Sequence, residues 1–231
     1  MRSFNSNTIV NIVRAEITTE ENTPRVFGFD TVTSAEPEPV ISEGEESELR
    51  VRNTILAQDL LEDIVKGYDI TLKDCVLNAG LLEIIDGGAQ HTADTSLLSG
   101  YSAPQAGTPS GRTRFTLRLY AEEKDYGGQT IGVFRFSFPN CVGTPAKFQL
   151  ENGSFTTPEY LVRSRPRSGE YAMTLECLDR LPVYCSSEDD VTDRPEEGDC
   201  ITALGYLSVG SLIVNPGRTA YFDGENWVLI D

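Results

Sequence analysis

The side chains of this chain that could do catalytic chemistry are one histidine and several adjacent carboxylates. His91 lies in a stretch of small residues with no nucleophile motif beside it, where a lone histidine is usually a solvated side chain. Glu122 and Glu123 are adjacent in sequence, as are Asp189 and Asp190. Adjacent side chains of a strand point to opposite faces, so neither pair predicts a two-carboxylate hydrolase site. No serine-hydrolase, zinc-protease or phosphate-loop motif occurs, so we expect no catalytic site and a protein that is not an enzyme.

The cysteines and the acidic run near the C-terminus give no metal-binding pattern either. Five cysteines form no CxxC pair and match no zinc spacing, so we expect free, mostly buried thiols in a reducing compartment: Cys75, Cys141, Cys177, Cys185 and Cys200. The run 188–199 lacks the regular oxygen spacing of an EF-hand loop. It is either a weak cation site or a solvated linker, and the composition favours the linker. The sequence therefore predicts no bound metal and no cofactor.

The composition is strongly acidic, with 36 acidic against 19 basic residues and a formal net charge of −17 over 231 residues. This charge argues against a protein that wraps nucleic acid, because phosphate binding needs clustered Lys and Arg. It is compatible with a surface along which DNA slides without adhering, and also with a charge that only confers solubility. No apolar run reaches membrane-spanning length and the first residues lack the apolar stretch of a secretory signal. We therefore expect a soluble protein, made in the cytoplasm, with no membrane anchor.

The clearest structural pattern is the alternation of aromatic and polar residues at 134–138. Three phenylalanines fall on one face of a predicted strand: Phe134, Phe136 and Phe138. Arg135 and Ser137 fall on the other face. We expect the aromatic face to form the core and the other face to point away from it. The strand is expected to stop at Pro139 and Asn140.

Similar alternation predicts further antiparallel strands, which we place at 8–17, 25–29, 49–55, 68–75 and 112–123, with a last core strand after residue 169. Asn78 and the pair Gly87-Gly88 predict the beginning and the end of one short helix. Residues 58–66 predict a short helical turn. The sequence therefore predicts a mainly β fold, an antiparallel β-sandwich or barrel with one short flanking α-helix.

Two acidic spans interrupt this pattern of strands. Residues 33–48 contain two prolines and six glutamates, which is typical of a solvated loop rather than a paired strand: Glu36, Glu38, Glu43, Glu45, Glu46 and Glu48. We divide the chain into a main domain over 1–182, an acidic linker over 183–200 and a small C-terminal β appendage over 201–231. The appendage is too small for an independent core, so we expect it to lean on the main domain or on a neighbouring subunit, as an outer β element or as a strand that docks on the neighbour.

Five segments, taken in order, resemble the major tail tube proteins of long-tailed bacteriophages. They are a strand ending in Lys-Asp, the helix closed by Gly-Gly, two alternating strands and a segment with an Asn-Gly turn, at 65–74, 81–88, 115–123, 136–143 and 148–165. The resemblance implies a tail-tube fold, in which six copies close into a ring by joining their inner sheets and the rings stack into a hollow tube. It implies a structural virion protein of a siphovirus-like, non-contractile tail, through which DNA is ejected.

The resemblance also implies partners and site residues. The subunit would contact copies of itself and the tape measure, initiator and terminator proteins, and DNA would pass an electronegative lumen without specific binding. Candidate lumen-facing acids lie on or beside the central strands: Glu122, Glu123, Asp125, Glu170 and Glu176. Arg118 and Arg135 are expected to pair with acids across strands or subunits. The face of Arg135 and Ser137 would look out towards the lumen or a neighbour. The span 33–53, which contains the six glutamates, is the candidate contact between rings, the alternative being a disordered surface loop.

Two other functions share features with this interpretation. The inner tube of a contractile tail or injection machine has the same fold and would give much the same sequence. A stand-alone receptor- or carbohydrate-binding β-sandwich belongs to a different class, and would use Trp227 and Tyr221 as a platform, although a buried hairpin aromatic is the more ordinary role for Trp227. We expect the protein to be assembled in the host cytoplasm and located in the virion tail.

Overall fold

One large antiparallel sheet organises the computed structural model, which describes residues 8–91, 99–153 and 156–230. The strands are β1 (Ile9–Thr19), β2 (Val26–Phe29), β3 (Val32–Ser42), β4 (Glu46–Val51), β5 (Thr54–Leu60), β6 (Ile64–Asp74), β7 (Ala89–His91), β8 (Gly100–Ser102), β9 (Phe115–Lys124), β10 (Thr130–Gly143), β11 (Glu159–Ser164), β12 (Thr174–Leu178), β13 (Val183–Cys185), β14 (Cys200–Ala203), β15 (Leu207–Val209), β16 (Leu212–Val214), β17 (Thr219–Phe222) and β18 (Trp227–Leu229), and the helix is α1 (Ala79–Asp86). The large sheet has the order β2-β1-β9-β10-β11-β6-β3, and β12 also pairs with β10. The predicted mainly β, antiparallel fold class is confirmed. Residues 1–7 and 154–155, which include part of the last resembling segment, lie outside the described residues.

The main core lies on one face of this sheet, where α1 covers it. Ile17, Leu117 and Phe138 are fully buried there, together with Ile70 and Val162 from β6 and β11. The aromatic face predicted for 134–138 is confirmed, because the first and third phenylalanines are buried and the second is partly buried against the core. The helix that covers this face is too short to cross a membrane, and no other helix among the described residues is long enough.

A β-bulge at Asn140 divides β10 into two parts with different partners. Before it, β10 pairs with β12, and after it with β11. Asn140 has φ 50°, a left-handed conformation that asparagine tolerates better than most residues. Its backbone N–H donates to Glu20 at 2.9 Å and its side-chain oxygen accepts from Arg114 at 2.6 Å. The expectation that the strand ends at Pro139-Asn140 is therefore wrong, because these bonds hold the bulge and β10 continues.

The helix α1 begins and ends where the sequence predicts. The Asn78 side chain accepts hydrogen bonds from the N–H groups of Gly80 and Leu81, and Gly87 closes the helix in a left-handed conformation with φ 81°. The C-terminal turn of α1 packs directly on β10 at Gly143. A Cβ atom added at Gly143 would lie 2.3 Å from the carbonyl oxygen of Ile85, so only glycine permits this approach of helix to strand.

The predicted loop over 33–48 is wrong for most of its length, because β3 forms a ladder with β6. The strand lies at the edge of the sheet and needs backbone donors on one side only. Pro37 and Pro39 are two residues apart, so their nitrogens both face the same side, where no ladder bond is required. Composition alone suggested a loop, whereas an edge strand accepts prolines at alternate positions.

The residues after β3 form a two-stranded hairpin instead of the single strand predicted at 49–55. β4 and β5 pair with each other, and the turn between them is formed by Arg52 and Asn53, with φ 56° at Arg52. The helical turn predicted at 58–66 is also wrong, since β5 and β6 occupy most of that stretch. Polar and apolar residues do not alternate regularly there, so the sequence pattern indicates neither a strand nor a helix clearly.

The C-terminal residues form a second sheet of order β13-β14-β17-β18, beside which β15 pairs with β16. The stretch 183–200, predicted as an acidic linker, instead contains β13, which pairs with β14, and a 3-10 turn. Its acids bind defined partners: the Asp190 carboxylate accepts from two backbone N–H groups, and Arg180 donates to Glu196 and Asp199. The division of the chain into domains stays a prediction.

Substitution of Gly143 tests the close packing of α1 on β10. We expect Gly143→Ala to lower the free energy of unfolding by about 1–3 kcal/mol, because the added methyl group overlaps the backbone of Ile85. Gly111→Ala is the control, since a Cβ atom there meets nothing within 4 Å. Urea unfolding followed by circular dichroism measures both variants, and equal stability of the two would contradict this packing.

Candidate assembly surface

Many large apolar side chains are exposed on and beside the hairpin formed by β4 and β5. We define residues 41–65 as the arm, which consists of this hairpin and the adjoining ends of β3 and β6. Its large hydrophobic side chains are 46 to 66% exposed: Ile41, Leu49, Val51, Ile55, Leu56, Leu60, Leu61, Ile64 and Val65. Every residue of β4 and β5 is exposed. Several large apolar side chains exposed on one hairpin are typical of a site of contact with another molecule.

Hydrogen bonds join the two sides of the arm at its base, and beyond the base β4 and β5 pair with each other. At the base, the Leu61 N–H donates to the Glu45 carbonyl at 3.1 Å, and the Gly44 N–H donates to the Asp63 carboxylate at 2.9 Å. Beyond the base, β4 and β5 form a separate two-stranded sheet. An isolated two-stranded hairpin is marginally stable in water. Contact with another chain would therefore stabilise the arm.

The six glutamates predicted for a loop between rings are distributed over three elements. Glu36 and Glu38 lie on β3, Glu43 and Glu45 at the base of the arm, and Glu46 and Glu48 on β4, and all are exposed: Glu36, Glu38, Glu43, Glu45, Glu46 and Glu48. Two of them have partners within the arm. Glu48 pairs with Arg50 at 2.7 Å, and Glu46 accepts from Gln58. The arm thus carries both exposed apolar side chains and acidic ones. Four of the six glutamates lie within it, and the other two lie on the part of β3 that precedes it.

The face of β9 and β10 opposite the core carries two buried arginines. Arg118 donates to the Glu16 carboxylate at 2.8 Å and to the Gly217 carbonyl at 3.0 Å. Glu16 was not among the residues selected from the sequence, although its position two residues from Arg14 and Thr18 gives β1 a polar face. The cross-strand pairing of Arg118 with an acid agrees with expectation.

Arg135 reaches from β10 into the C-terminal sheet. Its side chain pairs with Glu176 at 2.5 Å, and donates to the Thr219 hydroxyl at 2.8 Å and the Ile230 carbonyl at 3.3 Å. Arg135 is only 1% exposed. The expectation that its face looks out towards a lumen or a neighbour is therefore wrong in the single chain, because the C-terminal sheet covers it.

The five candidate lumen acids occupy different surroundings. Glu122 is hydrogen-bonded to Asn11 and Thr130, and these bonds, with Lys124 beside it, lower its pKa from the ordinary value. Glu123, next to it, is buried on the other face, whereas Glu176 is held by its arginine as described above.

Asp125 and Glu170 lie in exposed turns rather than on strands. Asp125 accepts from the Gln129 N–H at 2.8 Å, and Glu170 from the Arg167 N–H at 2.8 Å. In one subunit, the structure therefore does not gather the five acids on one strand face, and their lumen-facing role stays a prediction.

The other residues that the sequence offered for chemistry are structural or solvated. His91 contacts the Ser102 hydroxyl at 2.8 Å on the surface. Tyr221 is 7% exposed and donates to Asp179, and burial, followed by that bond, raises its pKa to about 12. Trp227 packs against Phe222 with ring centroids 5.4 Å apart. Because Tyr221 is buried, it cannot serve with Trp227 as an open sugar-binding platform. Within the described residues, no group of three or more His, Cys, Asp or Glu side chains is placed to hold a metal ion.

No family model and no curated protein matches this chain. Among solved structures, it is similar to a chain of the anti-feeding prophage baseplate, determined by cryo-electron microscopy with six-fold symmetrisation, at a TM-score of 0.36 and 11% identity over 75% of this chain and 97% of that one. At that TM-score and identity, the likeness supports no conclusion about the role of the chain.

Substitution of Glu16 tests whether the buried arginines fasten the C-terminal sheet. We expect Glu16→Gln to lower the free energy of unfolding by about 3 kcal/mol or more, because the buried Arg118 guanidinium then loses the carboxylate to which it donates at 2.8 Å. Glu21→Gln removes an exposed ion pair with Arg25 and should change stability very little. Thermal and urea unfolding of both variants provide the measurement, and a small, equal effect would contradict the role of the buried pair.

Proposed function

We propose that this chain is the major tail tube subunit of a long-tailed bacteriophage, a structural virion protein whose hexameric rings stack into a hollow conduit for DNA. The observation that carries the proposal is the arm, whose hydrophobic side chains are exposed in the single chain. Burial of apolar surface contributes about 25 cal/mol per Å², so covering the arm with another copy favours association. We assign the contact between rings to the arm, which replaces the loop predicted at 33–53.

Ring closure needs strand edges that can pair with a neighbour. In the main sheet, β2, β3 and β12 each pair on one side only. Pro37 and Pro39 remove backbone donors from β3, which makes this edge a poor template for strand addition. Among the described strands, the edges of β2 and β12 therefore remain open, and we assign ring closure to them. Closing the ring removes open edges that would otherwise promote aggregation.

The net charge of −17 suits a channel for DNA, because like charge keeps the phosphates off the wall. We retain the five predicted acids as lumen candidates: Glu122, Glu123, Asp125, Glu170 and Glu176. Asp125 and Glu170 are favoured among them. Their carboxylates are exposed and accept from backbone N–H groups, so they can face a lumen without breaking an ion pair with an arginine side chain. In this proposal DNA passes without specific binding, and the protein has no catalytic role.

The remaining partners follow from the tail-tube role. The tape measure protein would lie within the tube and the initiator and terminator proteins would bind its ends, in a virion tail assembled in the host cytoplasm. The inner tube of a contractile tail or injection machine is a variant of the same proposal, since it needs the same rings and the same arm. The buried position of Tyr221 disfavours the separate class of carbohydrate-binding module.

Removal of the hairpin tests this proposal without disturbing the sheet. Residues 46–60 can be replaced by two glycines, because the flanking residues Glu45 and Leu61 are already joined by a 3.1 Å backbone hydrogen bond. We expect wild-type protein to form tubes or six-fold rings at high concentration, and the shortened chain to stay monomeric with the circular dichroism of a folded β protein. Negative-stain electron microscopy and sedimentation velocity measure both.

A matched control separates the arm from apolar surface in general. Leu49→Asp with Leu56→Asp should prevent tube formation, whereas Tyr206→Asp with Ile213→Asp changes equally exposed residues of the C-terminal part and should leave it intact. A wild-type chain that remains monomeric at all concentrations and salts would contradict the proposed function.

A further inference from the structure

An open groove of about 640 Å³ lies beside α1, on the surface away from the C-terminal sheet. We define the α1 groove by the residues that line it and matter here: Leu77, Leu82, Asp86, Tyr101, Thr108 and Phe148. Leu77 and Phe148 are 55% and 56% exposed, so the groove presents large apolar side chains to solvent. The wall is predominantly apolar, with one acidic group at its floor.

That acidic group is a carboxylate with one unused oxygen. Asp86 is 6% exposed, and its Oδ2 accepts a 2.7 Å hydrogen bond from the Tyr101 hydroxyl. Its Oδ1 is buried and has no hydrogen-bond partner among the residues that the structure describes. A buried carboxylate oxygen without a donor is costly, so this position favours a ligand that supplies one.

The cation that lines the groove does not fill this role. Arg112 also lines the groove, but its Nε donates to the Ser110 hydroxyl at 2.9 Å and its Nη1 to the Gly143 carbonyl at 3.1 Å. Tyr101 is committed to Oδ2, and burial followed by the bond to Asp86 raises its pKa, so that it remains a donor at neutral pH. The α1 groove therefore lacks a cation for Asp86 within the described chain.

The tip of the arm has the complementary chemistry. Arg52 occupies the turn of the hairpin, is exposed, and forms no ion pair with any described residue. Exposed apolar residues stand on both sides of it: Leu49, Val51, Ile55 and Leu56. A guanidinium group flanked by apolar side chains matches a buried carboxylate in an apolar groove, since arginine donates to carboxylates in a fixed fork geometry.

We propose that the tip of the arm of one copy inserts into the α1 groove of the next copy, with the Arg52 guanidinium donating to Asp86 Oδ1. This inference rests on the proposed function and names the receiving surface for the arm. A strand of seven residues spans roughly 20 Å, which is enough for the tip to project from its own sheet and reach a neighbour. Arm and groove are different surfaces, so the contact is head-to-tail and repeats from copy to copy, as a growing tube requires.

Site-directed cross-linking tests this contact directly. In a Cys75→Ser background, which removes the exposed native thiol, tagged Asn53→Cys protein, which keeps Arg52, is mixed with untagged Thr108→Cys protein under assembly conditions and oxidised. We expect a disulfide-linked pair of one tagged and one untagged chain on a non-reducing gel. Tyr206→Cys, at an exposed position of the C-terminal part, replaces Thr108→Cys as the control and should give no such pair.

Charge variants give the second readout. Arg52→Glu and Asp86→Asn should each raise the concentration needed for assembly about 10- to 100-fold, the loss expected for one charge-assisted hydrogen bond. Arg52→Lys should have a smaller effect. Circular dichroism checks that the Asp86→Asn monomer is folded.

The outcomes distinguish this docking site from the proposed function. If wild-type tubes form and are lost on removal of the hairpin, yet the cross-link is absent and Arg52→Glu assembles normally, the α1 groove is not the receiving surface while the tail-tube role stands. A wild-type chain that never assembles overturns both. Cross-linking together with weakened assembly of Arg52→Glu supports the docking site.

Discussion

The arrangement of surfaces on this chain depends on two arginines that are desolvated between the main sheet and the C-terminal sheet. Arg118 and Arg135 are 6% and 1% exposed, and neither could remain charged there without its carboxylate and carbonyl acceptors. The acceptors come from both sheets, through Glu16 and Glu176 on one side and Gly217 and Ile230 on the other. The C-terminal sheet is therefore fixed over this face of β9 and β10. In the proposed assembly, the surfaces that remain for contacts between copies are the arm, the strand edges and the α1 groove.

The exposed apolar side chains of the arm are unfavourable in a monomer, and the proposed assembly would cover them. A two-stranded hairpin with exposed leucines and isoleucines is a liability in a monomer, because it is marginally stable and invites non-specific association. Copies with a net charge of −17 also repel each other. An apolar contact with a single arginine at its tip can overcome this repulsion locally, while the prolines of β3 discourage pairing at the wrong edge. In the proposed tube, the same charges that oppose assembly would keep DNA from adhering to the wall.

Local signals in the sequence predicted local structure well. The alternating phenylalanines and the caps of α1 act over a few residues, and the structure has them where the pattern indicates. Predictions failed where distant residues decide the outcome. Asn140 continues its strand because Glu20 and Arg114 hold the bulge, and Arg135 is buried by residues more than 80 positions away. The span was predicted as a loop, and its hairpin could not be distinguished from one because its apolar side chains face no core; its role as a contact between rings stays a prediction.

Amide hydrogen exchange across a concentration series tests whether another copy of the chain covers the arm. We expect amides of β4 and β5 to exchange rapidly in dilute monomer and to become protected at concentrations where tubes form, while amides in the centres of β9 and β10 are protected throughout. Equal protection of the arm in dilute and assembled protein, or tubes whose arm amides still exchange rapidly, would contradict the claim that the arm is completed by another copy of the chain.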